Sequence, residues 1–171
     1  IKDGPYKDYY DNGKLSEEGT LKNGELDGTI KSYFDNGQLE SEENYKDGNR
    51  LGPYKNYYQN GNLKEEGTWI QLHGTYWNDK IMKSYYKNGN LKVEKTFKNG
   101  RDNGPYKSYY ENGRLKKEGR YIDTGLTMFF RGNIKTDYYK KGQLRIEWNN
   151  ENEPKFIRKE YYPNGQLGSE I

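Results

Sequence analysis

One histidine, His73, is the chain's entire supply of the usual catalytic base, and it stands with no cysteine and no Gly-x-Ser-x-Gly elbow. Nucleophilic catalysis needs a base beside the nucleophile, so His73 reads as an exposed or hydrogen-bonding loop residue, and no enzymatic activity is expected. Zinc sites of His and Cys fail for want of ligands, and no cofactor is expected. The neighbouring carboxylates Glu17-Glu18, Glu42-Glu43 and Glu65-Glu66 could suggest acid–base work on sugars. On a strand, however, adjacent side chains point to opposite faces and cannot converge on one bond. Asp and Asn beside turn glycines, as in Asp11-Asn12-Gly13 and Asp35-Asn36-Gly37, lack the upstream oxygen ligands of a calcium loop and read as turn residues. The glycines make no phosphate fingerprint, because no helix follows them.

What remains with binding chemistry is aromatic. The chain has 171 residues, 16% of them aromatic and 19 of them Tyr. Tyr9, Tyr33, Tyr57, Tyr85, Tyr109, Tyr138 and Tyr161 recur in register with basic neighbours such as Lys64, Lys92, Lys116 and Arg145. Such a column either stiffens a thin sheet or forms a rail on which sugar rings or a protein stack. Tyr57 and Tyr85 are its central members. Two further segments are poor in charge and rich in large apolar residues: one holds Trp69, Tyr76 and Trp77, the other Tyr121, Phe129 and Phe130. Trp and Tyr dominate protein-binding hot spots and also suit a membrane interface.

The elements that would position these residues come from a repeat. A Tyr-Tyr or Tyr-Phe pair, a turn ending in Gly and a Leu two residues later occur seven times, at steps of 24, 24, 28, 24, 29 and 23 residues. A fixed period marks stacked supersecondary units. Asn-Gly between strand-like segments predicts a two-residue type I′ hairpin turn. With Asn12-Gly13 as the loop, Tyr10 faces Leu15, Lys7 faces Glu18 and Tyr6 faces Gly19. The Lys–Glu pairing then recurs as Lys31–Glu42, Lys55–Glu66, Lys83–Glu94, Lys107–Glu118 and Lys159–Glu170, with Thr136 opposite Glu147 as the exception. The aromatic–Leu pairing recurs from Phe34–Leu39 to Tyr162–Leu167. Rings also lie over strand glycines at Tyr54–Gly67 and Tyr106–Gly119. Opposite-charge and ring–aliphatic pairs each stabilise a sheet by about 0.2–1 kcal/mol.

Second turns near Asn23-Gly24, Asp47-Gly48 and Asn99-Gly100 return the chain to the next copy. The expected fold is all-β: an elongated single-layer antiparallel meander of about seven hairpins, one domain over residues 1–171, with rings on one face and charge on the other. A thick core is not expected, since only 30% of residues are hydrophobic and mean hydropathy is −1.41.

The net charge of +3 comes from interspersed signs, without the basic block of a nucleic-acid or acidic-lipid patch. Glu alternating with Lys would also oppose phosphates, which disfavours nucleic acid. No apolar run approaches the roughly 20 residues of a membrane helix. The absence of Ala with abundant Lys, Asn and Tyr suits an AT-rich bacterial genome. The start at Ile1, without an n-region, reads as a removed signal peptide or a fragment, which leans towards an extracytoplasmic or secreted protein.

The pattern Gly-x-Tyr-Lys-x-Tyr-Tyr-x-Asn-Gly-x-Leu-x-x-Glu-Gly-x-x-x-Asn-Gly, fullest at Gly4–Gly24 and Gly104–Gly119, resembles the MORN (membrane occupation and recognition nexus) repeat in its bacterial type-2 variant. The resemblance covers essentially the whole chain and implies a non-enzymatic scaffold or binding module. Within that family it implies protein contact, including antitoxin-like or host-surface roles, and also lipid association. The long steps depart from the pattern, around Trp69–Trp77 and Tyr121–Phe130, and insertions in repeat arrays often mark the binding face. The expected partner is therefore another protein, held through Trp69, Tyr76, Trp77, Phe129 and Phe130. Lipid through the same aromatics, and glycan along Tyr57 and Tyr85, are the alternatives. Open sheet edges add the option of end-to-end self-association.

Overall fold

The computed structural model describes residues 3–72, 75–78, 80–98, 101–121, 135–138, 144–149 and 157–170, with backbone alone at 71–72, 75–78, 80, 135–138, 144–149 and 157–158. The described residues contain strands and turns and no helix, so no helix long and apolar enough to cross a membrane is present among them. The chain comprises two compact units, Ile1–Gly89 and Asn90–Ile171.

In the first unit the strands are β1 (Gly4–Tyr9), β2 (Leu15–Lys22), β3 (Glu25–Leu26), β4 (Gly28–Tyr33), β5 (Leu39–Lys46), β6 (Asn49–Tyr57), β7 (Leu63–Leu72), β8 (Thr75–Asn78) and β9 (Lys80–Tyr85). They form an antiparallel meander in the order β1-β2-β4-β5-β6-β7-β9, while β3 and β8 are short returning arms paired with β2 and β7. The second unit holds β10 (Leu91–Lys98), β11 (Arg101–Tyr109), β12 (Leu115–Tyr121), β13 (Lys135–Tyr138), β14 (Leu144–Asn149), β15 (Ile157–Tyr161) and β16 (Leu167–Glu170), again paired in chain order.

The strand bodies pair in the expected register. Lys7 faces Glu18, Tyr6 faces Gly19, Tyr54 faces Gly67 and Tyr106 faces Gly119. The turns do not. Tyr9, not Tyr10, faces Leu15, and the same holds for Tyr33–Leu39, Tyr57–Leu63, Tyr109–Leu115, Tyr138–Leu144 and Tyr161–Leu167. The reason is the loop. Gly13 N–H donates to the Tyr10 carbonyl at 2.8 Å and Tyr10 N–H to the Lys14 carbonyl at 2.8 Å, which closes a three-residue loop over Asp11, Asn12 and Gly13. Gly13 sits at φ +78° and Asn12 is not left-handed. This is a type I turn followed by a left-handed glycine. It shifts the pairing by one residue, and an irregularity between Asp8 and Tyr9 restores the register of the strand body. Lys64 is therefore an unpaired bulge residue rather than the partner of Tyr57, and Lys116 lies 5.6 Å from the Tyr110 ring centre, not over Tyr109.

The type I′ turns are the second ones. Asn23 and Gly24 have φ of 53° and 83°, Asp47 and Gly48 of 46° and 74°, between the closing pairs Lys22–Glu25 and Lys46–Asn49. Asn99-Gly100 lies outside the described residues.

The register builds a row across the strands. In the first unit it reads Lys7, Glu18, Lys31, Glu42, Lys55, Glu66, Lys83. In the second it reads Glu94, Lys107, Glu118, Thr136, Glu147, Lys159, Glu170. Ion pairs form along it at Lys7–Glu18 (3.2 Å) and Lys31–Glu42 (3.4 Å). These are exposed pairs, each worth about 0–1 kcal/mol. The row matters more for register, since a one-residue slip would move every charge to the other face.

The opposite face carries the rings, but not rings alone. In each of the first three repeats a carboxylate shares it: Glu17 accepts from the Tyr6 hydroxyl at 2.6 Å, Glu65 from Tyr54 at 2.9 Å, and Glu43 accepts from Tyr45 at 2.9 Å and pairs with Arg50 at 2.7 Å. The expected separation of rings from charge is thus incomplete, and Tyr hydroxyls are what make the difference tolerable. Burial is thin. Ile30 and Tyr54 are the buried apolar side chains among the described residues, at 5% and 3% exposure.

Candidate functional site

Neighbouring hairpins are joined by tyrosines of both kinds. In the second, third and fourth motifs the first Tyr lies on the charged face and reaches back one repeat. Tyr33 donates to Glu18 at 2.6 Å, Tyr57 to Glu42 at 3.3 Å and Tyr85 to Glu66 at 2.7 Å. The proposed rail residues Tyr57 and Tyr85 therefore have their hydroxyls engaged within the sheet.

These bonds shift the groups that make them. The Tyr33 phenol is pushed up to about 12, first by its bond to Glu18 and then by burial. Glu18 is held below the usual carboxylate range, first by the Tyr33 hydroxyl and then by Lys7. A phenol raised above its unfolded value of about 10 stabilises the fold below pH 10, and that contribution disappears as pH climbs through about 12. A lowered carboxylate stabilises above its unfolded value and is lost as pH falls through the folded one. Urea midpoints measured against pH should therefore fall on both flanks, and Tyr33→Phe should flatten the alkaline decline. An unchanged alkaline flank in that variant would remove Tyr33 from this role.

The second aromatic reaches forward instead. The Tyr10 hydroxyl donates to the Tyr33 carbonyl at 2.5 Å, and the Tyr58 hydroxyl to the Tyr85 carbonyl at 2.8 Å. Turn side chains reinforce the same edge: Asn36 Nδ2 donates to the Gln59 carbonyl at 3.2 Å, and Asn60 Nδ2 to the Lys87 carbonyl at 2.9 Å. Between Tyr10 and Tyr58 stands Phe34, which has no hydroxyl to offer the Tyr57 carbonyl. At this junction an open cleft of about 480 Å³ lies among Phe34, Tyr57, Tyr58, Glu40, Lys64 and Lys87. Phe34, Tyr57 and Tyr58 are half-buried, whereas Glu40, Lys64 and Lys87 are exposed. No group of three His, Cys, Asp or Glu that could hold a metal exists among the described residues.

Of the residues singled out from sequence, Tyr57 lines this cleft. Trp69 is half-buried, its ring centre 5.3 Å from that of Tyr54 and 6.0 Å from the Arg50 guanidinium, and its Nε1 is buried with no hydrogen-bond partner. Tyr76 and Trp77 belong to β8, where their backbones pair with Gln71 and Ile70. Phe129 and Phe130 lie outside the described residues, as does His73. The long third step is resolved as a hairpin extension. β2 and β5 have 8 residues and β7 has 10, while β3 has 2 and β8 has 4, so each arm gains two residues. Sequence reasoning missed Phe34. Its signal was available: it is the one second aromatic among the seven that is not Tyr.

The family model described as MORN repeat variant matches residues 2–23, 26–47, 50–71, 78–99, 102–123 and 157–171, passing over the copy at Tyr138. No curated protein matches the chain. Among solved structures, one titled "Crystal Structure of TcdB2-TccC3" aligns with 94% of this chain at 14% identity and a TM-score of 0.29; the chain spans 11% of that chain's length.

Proposed function

The chain belongs to the MORN repeat variant family, and from that membership we propose that it is a non-catalytic scaffold that binds another protein through the extended β7–β8 hairpin. One observation carries this reading. The other second turns of the first unit close at Lys22–Glu25 and Lys46–Asn49, but this one continues to Leu72–Thr75. The extension adds two residues to each arm, and its sequence holds Ile70, Leu72, Tyr76 and Trp77. Apolar residues on a lengthened arm suit a partner whose surface covers them, because Trp and Tyr supply large contact area at low entropic cost. Antitoxin or immunity pairing and attachment to a host surface protein are instances of such binding.

The test is to replace residues 71–76 with Asn-Gly, which restores the short hairpin of the other repeats. The β-sheet circular dichroism should persist while capture of the protein partner is lost. Vesicles of phosphatidylcholine with phosphatidylserine should not float the wild type. Partner capture unaffected by the shortening would contradict the proposal, and salt-sensitive flotation abolished by Trp77→Ala would assign the hairpin to lipid instead.

A further inference from the structure

We infer that the cleft beside Phe34 is a binding site for an acidic saccharide, a pyranose unit bearing one carboxylate. At this site a feature of the neighbouring junctions is missing. At the preceding and following positions a tyrosine hydroxyl bridges to the next repeat's backbone carbonyl, Tyr10 to Tyr33 and Tyr58 to Tyr85. Phe34 leaves the equivalent Tyr57 carbonyl without that donor, and the cleft opens at this junction.

Its lining defines the chemistry. The Tyr57 carbonyl and the Glu40 carboxylate only accept hydrogen bonds, while the Asn56 and Gln59 amides both give and accept them, so the lining suits a ligand that carries both, as sugar hydroxyls do. Phe34 and Tyr58 add ring surface, whose negative face attracts the polarised C–H bonds of a pyranose. Lys64 and Lys87 exceed Glu40 by one charge, and none of the three forms an ion pair within the described residues. Two uncommitted ammonium groups match one carboxylate on the ligand. The volume of about 480 Å³ falls in the range of small-ligand sites, roughly 300–1,000 Å³, and accommodates one or two sugar rings. A nucleotide fits less well, because Glu40 and the carbonyl would face its phosphates.

The experiment titrates a glucuronic-acid-terminated disaccharide and its neutral glucose counterpart against the full chain, by calorimetry and saturation-transfer NMR. The acidic sugar should bind at least about tenfold more tightly, which corresponds to about 1.4 kcal/mol. The decisive variant is Phe34→Tyr. It supplies the missing hydroxyl to the Tyr57 carbonyl, so it should raise Tm while weakening acidic-sugar binding by roughly tenfold or more. A loss of binding that accompanies a gain of stability has no explanation in misfolding. Lys64→Gln and Lys87→Gln should each reduce the preference for the acidic sugar, and both together should erase it. Three results overturn the inference: neither sugar binding at millimolar concentration, binding unchanged in Phe34→Tyr, or the acidic preference surviving both Lys substitutions. The shortened β7–β8 hairpin leaves this cleft intact, so the saccharide site and the protein-docking hairpin stand or fall separately.

Discussion

Replacing Tyr54 by Ala is expected to destabilise the first unit by about 3–5 kcal/mol, the range for deleting a large buried aromatic. In a thick core that loss would be one of many. Here Tyr54, at 3% exposure, is one of two buried apolar side chains among the described residues, and it supports the Trp69 ring 5.3 Å away. Its hydroxyl also donates to Glu65 at 2.9 Å. Removing the ring therefore empties space in the thin layer and leaves a half-buried carboxylate without this donor. Whole domains are stable by only about 5–15 kcal/mol, so the variant should lose a large part of its urea midpoint and most amide protection in β6 and β7. Tyr54→Phe separates the two contributions. It keeps the ring and should cost only the hydrogen bond to a charged acceptor, about 1.5–3 kcal/mol. A Tyr54→Ala variant within about 1 kcal/mol of wild type would mean that the ring is not a packing centre.

Gly67→Ala should cost about 1–3 kcal/mol through overpacking, although it adds a single methyl group. A Cβ there would stand 2.7 Å from Tyr54 Cε1, 2.8 Å from its Oη and 2.9 Å from its Cζ. Tyr54 has nowhere to retreat, being held by Trp69 and Glu65. Gly13 provides the contrast: a Cβ would meet nothing within 4 Å, yet φ is +78°, so its Ala variant pays only the left-handed backbone strain of about 1–2 kcal/mol. The two sites differ further in a double-mutant cycle. Combining Gly67→Ala with Tyr54→Ala should cost clearly less than the sum of the single variants, since the clash vanishes with the ring. Additive losses would place the cost of Gly67→Ala in the backbone, not in the contact with Tyr54.

Much of this fold was legible because the pairing of side chains repeats. Lys–Glu and Tyr–Gly partners recur at fixed spacing, and only an antiparallel hairpin brings them together, so the strand bodies could be read from residues alone. The turns could not be read in the same way. Asn12-Gly13 and Asn23-Gly24 are the same dipeptide in two different loops. In the second, both residues are left-handed. In the first, only Gly is, and Asn12 instead braces the loop by accepting the Lys14 N–H at 3.0 Å on Oδ1. Asn36, Asn60, Asn112 and Asn164 repeat that brace. One residue did carry the distinction. Pro163 precedes Asn164-Gly165, and proline favours the first central position of a type I turn. With Pro163 in that place, Asn164 takes the second central position and Gly165 follows it, which is the three-residue loop.

The candidate site was less legible, for a physical reason. Sequence reasoning sought excess, and found it in Trp69, Tyr76 and Trp77. What distinguishes the cleft is a deficiency, a single oxygen absent from Phe34, and its meaning depends on knowing that tyrosine hydroxyls at this position bridge to a carbonyl in the next repeat. That bridge links residues 23 apart at Tyr10–Tyr33 and 27 apart at Tyr58–Tyr85. No local pattern reveals it. The same applies to the first tyrosines, whose column reads as an exposed rail until Glu18, Glu42 and Glu66 are seen to occupy their hydroxyls.

Cross-strand nuclear Overhauser contacts in the second hairpin test the repeat register on which both sites depend. Contacts linking Tyr33 with Leu39 and Lys31 with Glu42 are the predicted set, one on each side of the irregularity between Ser32 and Tyr33. Contacts that instead align Phe34 with Leu39 as cross-strand partners would contradict it, because Phe34 would then lie within the ladder and not at the loop, and the cleft beside it would not form.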